Sequence, residues 1–209
     1  MITTSEIVQL VLYCIILLLL TPMLGKLMAK IFSGERTFLT PIFGWLEKIM
    51  YKLSGIDPEK EMNWKTYAIA LMVFNIFGFA IVFILQLVQS SLPFNPQQLQ
   101  NVSWHLALNT AVSFATNTNW QSYSGETTLG YAVQMFGLTV QNFVSAATGI
   151  AVMLAMTRGI ARKTTHDIGN FWTDLVRSTI YVLLPLSILF TIVLVGQGVV
   201  QTFSQYQTA

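Results

Sequence analysis

Long apolar stretches alternate with short polar ones along this chain, and their lengths decide what each can be. Ile7 to Leu27 is nearly continuous apolar sequence, interrupted by Thr21-Pro22, and Thr66 to Gln89, Thr128 to Thr157 and Ser178 to Val200 follow. One helical crossing of a bilayer needs roughly 20 apolar residues, so each stretch predicts a membrane span. Pro22 and Pro185 lie inside spans, where neighbouring groups can satisfy the carbonyl that proline leaves free. Trp104 to Ala115 is different. Leu106, Leu108, Val112 and Phe114 form its packing side, Asn109, Thr110 and Ser113 are polar, and Ser103 is placed to cap it. About twelve residues cannot cross a bilayer. The segment is expected to dip in and return through the polar, uncharged run that begins at Thr116.

Between the first two spans the pattern changes again. Thr40-Pro41 reads as N-cap and first helical residue, and Ser54-Gly55 as a stop. Ile42, Leu46, Ile49, Met50 and Leu53 share one helical face, with Glu47, Lys48 and Lys52 off it. This predicts a helix lying in the membrane interface, with docking of a cytosolic partner as the alternative. The fold class that follows is an all-α membrane protein: four transmembrane helices and one re-entrant pore helix with its loop. Its units are residues 1–65, the first span and amphipathic segment; 66–157, a helix, pore loop and helix repeat; and 158–209, a polar loop and the fourth span.

Composition changes this picture little. The chain of 209 residues is 54% hydrophobic and 10% charged, outside the range of soluble domains. Placement of charge adds orientation. The 11 Lys and Arg residues fall in two windows, Lys26 to Lys65 and Arg158 to Arg177, which the positive-inside rule puts in the cytoplasm. Four spans then place both termini outside. No cleavable signal is evident, because the first apolar run has no basic segment before it and is too long. Cys14 is the single cysteine, so it is read as a small packing residue. The predicted span interiors contain no Asp, Glu, His, Lys or Arg, which argues against an intramembrane enzyme. His105, without a second His or Cys nearby, reads as interfacial or capping.

The polar run carries the candidate chemistry. Thr116, Asn117, Thr118 and Asn119 offer backbone carbonyls and neutral side-chain oxygens, a donor set suited to a dehydrated monovalent cation; calcium would call for carboxylates. No glycine occurs in the run before Gly125. Positive-φ positions would therefore fall to Asn117 or Asn119, asparagine being the non-glycine residue most tolerant of them. The C-terminal end of the short helix would turn its partial negative charge toward a cation there. Glu126 begins the next helix, as a cap or as an attractor of cations. In the third span, Gln134 and Gln141 are seven apart and share a helical face, either bonding between helices or lining a hydrated cavity. An ordinary external loop rich in Asn, Thr and Ser has the same composition as the polar run.

The run Asn109 to Thr128, with Thr116-Asn117-Thr118-Asn119-Trp120-Gln121-Ser122-Tyr123-Ser124-Gly125-Glu126 at its centre, resembles the first pore loop of the A subunit of the Kdp potassium-transporting ATPase. Gly137 to Phe143, Glu61 to Lys65 and Asn95 to Leu99 are similar too, and the similarity extends from about Leu10 to Tyr206. The resemblance implies a bacterial inner-membrane subunit that takes potassium from outside through a filter of four pore-loop repeats. An ATP-hydrolysing B subunit would drive the ion inward, with small C and F subunits completing the complex. Thr116 to Asn119 would be the filter segment, with Gln121 just beyond it where selectivity is sensitive. Potassium would be the transported ion. No phosphate-binding Gly-rich Lys-Ser/Thr motif and no Asp-Lys-Thr-Gly motif occurs, so nucleotide chemistry would belong to the B subunit. One repeat is found where the family carries four. The chain is thus expected to supply about a quarter of a filter, as a fragment or a short subunit needing the other repeats. The alternative is a structural or assembly piece that coordinates no ion.

Overall fold

The first helix opens on a reciprocal cap. Glu6 N–H reaches Thr3 Oγ1 at 3.4 Å and Thr3 N–H reaches Glu6 Oε2 at 2.7 Å, which satisfies two donors that helix geometry leaves free. The computed structural model describes residues 3–162 and 165–205; Lys163 of the second basic window and Tyr206 to Ala209 after the fourth span lie outside the described residues. α1, Thr4–Phe32, runs through Pro22 and beyond the predicted end at Leu27. Ile31 is its one buried residue. Cys14 is exposed on this helix rather than packed in the core.

α2, Thr40–Ser54, has Leu39 as its N-cap rather than Thr40. The Thr40 hydroxyl instead accepts from Thr37 N–H at 2.9 Å. Gly55, at φ 64°, ends the helix as predicted. Ile42, Ile49, Met50 and Leu53 are exposed, and the helix packs through the adjacent flank of Phe43, Leu46 and Tyr51. Glu47 draws it onto that flank, bonded by Tyr51 and Tyr181 hydroxyls at 2.8 and 2.7 Å and paired with Arg177 at 3.0 Å.

α3, Trp64–Leu87, starts where the Asn63 side chain accepts from Lys65 and Thr66 N–H. A 3₁₀ turn, Gln89–Ser91, leads through an irregular segment to α4, Trp104–Ala115, the predicted short helix. Ser103 flanks it without capping; its hydroxyl lies 3.3 Å from His105 Nε2. The single turn α5, Gly125–Thr128, holds Glu126 and is separated from the third span by extended Leu129. That span, Val133–Ala161, begins as the π-helical run Val133–Thr139 and continues as α6, Val140–Ala161.

The fourth span begins at Phe171, not at Ser178. Asn170 caps it by accepting from Trp172 and Thr173 N–H, and α7, Phe171–Arg177, runs through a π-helical stretch, Ser178–Leu183, into α8, Leu184–Gly196. Pro185 sits in the first turn of α8, where its missing N–H interrupts the ladder. The longer helix brings charge into a candidate span. Asp174, 2% exposed, is neutralised by Arg158 at 2.6 and 2.9 Å and accepts from Tyr67 at 3.1 Å.

Four helices are long and apolar enough to cross a membrane, and among the described residues there is no strand, only a bridge between Asn63 and Asp167. Three buried clusters hold them. One joins α3, α4 and the start of the third span through Val82, Ala111, Phe114 and Val133. A second joins α3, α6 and α7, where Ala147, Ala151 and Ala155 admit Tyr67 and Phe171. The third seats the end of α1 and α2 against Val176 to Val182. The protein is an all-α multi-pass membrane protein.

Candidate cation-binding loop

The end of α4 is tied into a compact knot by its own carbonyls. Helix termini leave unpaired C=O groups, and here Ser113 O accepts Thr118 N–H at 3.1 Å and Asn119 N–H at 3.3 Å. The Thr116 and Thr118 hydroxyls also reach it, at 3.3 and 3.2 Å, and Thr116 Oγ1 donates to Val112 O at 2.8 Å. The Ser113 hydroxyl closes the knot by donating to Trp120 O at 2.9 Å. The sequence pattern placed Ser113 merely on the polar side of the helix. Its position three residues before Thr116, at a helix end with open carbonyls, was the available signal.

This bracing sets the backbone. Asn117 and Asn119 both adopt positive φ, 56° and 54°, as expected for a loop without glycine. Thr116 is right-handed at φ −86°, and Thr118 is not among the positive-φ residues, so the sign of φ alternates along Thr116 to Asn119. Alternation between the two hands turns successive N–H groups to a common side, here Thr118 and Asn119 N–H toward Ser113 O. Among the described residues, no hydrogen bond reaches the carbonyls of Thr116, Asn117, Thr118 or Asn119, and all four residues are exposed. The threonine hydroxyls donate inward to α4, and Asn117 Oδ1 accepts from Asn119 Nδ2 and Ser145 Oγ, both at 3.2 Å. The side chains brace the loop, and the backbone carbonyls remain open.

Gln121 is exposed just beyond this segment. Glu126 is held apart on α5, where the Ser124 hydroxyl, bonded at 2.6 Å, keeps its carboxyl below the ordinary value and so negatively charged. Gln134 and Gln141 do not share a stripe. The π-helical run between them adds residues per turn, so Gln134 bonds Leu129 O at 2.8 Å while buried Gln141 lies against Gly78 of α3. Gly78 leaves space that any larger residue would take from the Gln141 amide.

The loop's supports are polar and buried. Gln86 Nε2 bonds Val82 O and Ala107 O at 2.9 and 3.3 Å, fastening α4 to α3. Gln89 bridges Gln100 O, Thr128 O and Gly130 N–H, joining both flanks of the re-entrant segment. Neither glutamine was singled out from sequence; each acts through partners far along the chain.

Comparison with known proteins agrees with this architecture. Residues 11–209 match the family described as potassium-transporting ATPase A subunit. A relative from Pseudomonas syringae pv. tomato, named potassium-transporting ATPase potassium-binding subunit, is 53% identical over 194 residues, 93% of this chain and 34% of its own length. One of the same name from Pseudomonas entomophila is 56% identical over 91% of this chain and 34% of its own length. A third, from Rhodospirillum centenum, is 54% identical over 99% of this chain and 36% of its own length. This chain therefore spans about a third of the length of the curated relatives it matches, and it belongs to the family of potassium-transporting ATPase A subunits.

Proposed function

We propose that the chain contributes one pore loop to the potassium filter of an ATP-driven uptake complex, its carbonyls at Thr116 to Asn119 taking part of the ion's hydration shell. The observation that carries this reading is the alternating backbone with unshared, exposed carbonyls at the end of a helix too short to cross the membrane. Neutral oxygens bind a monovalent cation and let it go. A ring of such loops is needed, so the open side of the segment faces the repeats that complete the filter. Gln121 stands beside the path and Glu126 adds negative charge near its mouth. The loop lies toward the outside of a bacterial inner membrane, with both basic windows in the cytoplasm. ATP hydrolysis belongs to a separate B subunit, with C and F subunits alongside, and this chain binds no nucleotide.

The test uses the full-length subunit in its complex. Asn119→Ala forces alanine into a left-handed position that costs about 1–2 kcal/mol. It is expected to raise the potassium concentration for half-maximal uptake roughly tenfold, since about 1.4 kcal/mol is a factor of ten. Asn119→Gly, which accepts the same φ, should shift it less. Unchanged potassium dependence in assembled Asn119→Ala and Gln121→Ala complexes would replace the filter reading with a purely structural one.

A further inference from the structure

We infer that Ser145, on the third span, is a positioning residue for the filter segment, holding Asn117 in its left-handed conformation through the side-chain amide. This rests on the reading of Thr116 to Asn119 as a filter. The contact is specific. Ser145 is 5% exposed, and its hydroxyl lies 3.2 Å from Asn117 Oδ1, across 28 residues of sequence. The same Oδ1 accepts Asn119 Nδ2 at 3.2 Å. One oxygen thereby joins the two left-handed residues of the segment and fastens both to a packed membrane helix.

The other bonds of the loop run back to α4 and leave this role open. Thr116 and Thr118 are tied to Val112 and Ser113, and Trp120 to Ser113. Neither asparagine side chain is bonded to α4. Without Ser145, the Asn117 amide could rotate about its side-chain torsions, and its bridge to Asn119 would rotate with it. The carbonyls on either side are those offered to the ion, so looseness there widens the cage. The bond is one of two open to the hydroxyl, which also lies 3.2 Å from Asn142 O on its own helix. That competition makes the pin weak enough for the loop to adjust as ions pass, while the burial of Ser145 shields its hydroxyl end.

Ser145→Ala removes the hydroxyl and keeps a good helix former, so the complex is expected to assemble. Losing one hydrogen bond of ordinary strength predicts an increase of about three- to tenfold in the potassium concentration for half-maximal uptake. Maximal uptake is expected to stay near wild type, and discrimination against rubidium to fall. Asn117→Gly keeps the left-handed backbone while deleting the acceptor, and should give a similar shift; the double variant should be no worse than Asn117→Gly alone. If Asn117→Gly shifts potassium dependence and Ser145→Ala does not, or if the two effects add fully, the inference fails and the filter reading stands. If neither variant changes affinity or selectivity, the filter reading fails as well.

Discussion

At the scale of single residues, buried charge shows how closely this protein is balanced. Asp174 is 2% exposed and meets Arg158 through two bonds, 2.6 and 2.9 Å, with Tyr67 as a further donor. Removing one partner of a buried pair leaves an uncompensated charge, at a cost of roughly 3–5 kcal/mol. Arg158→Ala is therefore expected to lower the thermal stability of the full-length subunit strongly, whereas Arg158→Met combined with Asp174→Leu should restore much of it. Melting of the purified complex followed by intrinsic fluorescence checks this, and equal loss in both variants would mean that the pair does more than neutralise itself. The position of Gly169 belongs to the same balance. Its φ of 101° suits glycine, and an added Cβ there would collide with the Arg158 guanidinium. The left-handed asparagines were legible in sequence because backbone strain is a local property. Ser145 and Asp174 were not, because their partners lie 28 and 107 residues away along the chain, at Asn117 and Tyr67.

Among the elements, α2 shows how one carboxylate fixes the flank by which an amphipathic helix is attached. Its apolar stripe points outward, and the flank carrying Glu47 faces Arg177 and Tyr181. Burial of Glu47 opposes its ionisation, but the hydrogen bonds from Tyr181, Arg177 and Tyr51 and the charge of Arg177 outweigh it and hold its carboxyl below the ordinary value. Burial likewise pushes the Tyr51 hydroxyl up, keeping it a donor. A depressed carboxylate pKa contributes stability that is complete above the unfolded value and is lost as pH falls through the folded one. Attachment of α2 is thus expected to hold at neutral pH and to loosen as acid protonates Glu47, at a pH below that at which an ordinary carboxylate titrates. Hydrogen exchange of the Thr40–Ser54 amides should rise in that range in the wild type and be raised at all pH values in Glu47→Gln; a wild-type profile without acid dependence would reject the mechanism. The exposed Ile42, Trp45, Ile49 and Leu53 then remain free to meet the membrane interface.

For the whole molecule, the four spans and the arrangement of charge make a prediction about orientation. A cysteine introduced at Ser54 of the full-length subunit, in a background lacking Cys14, is expected to react with a membrane-impermeant thiol reagent only after the cells are opened. One at Gln98 should react in intact cells, and the reverse pattern would invert the topology. Much of the apolar surface is exposed, and α1 buries Ile31 alone. Such a surface suits lipid and further helices, in keeping with a chain that spans about a third of its relatives. By itself the sequence determined the spans, the re-entrant helix, the Gly55 stop and the left-handed sites at Asn117 and Asn119. These follow from segment length, hydropathy and the φ each residue tolerates, all of which act within a few residues. Only the tertiary structure decided that the threonine hydroxyls brace the loop, that α2 docks by its charged flank, that Gln134 and Gln141 part company, and that the fourth span starts at Phe171. The threonine bonds reach only three to five residues back, onto carbonyls that the end of α4 leaves open; the other outcomes depend on a hydrogen-bond or charge partner brought in from a distant part of the chain, or on a widened helical turn that such packing sustains.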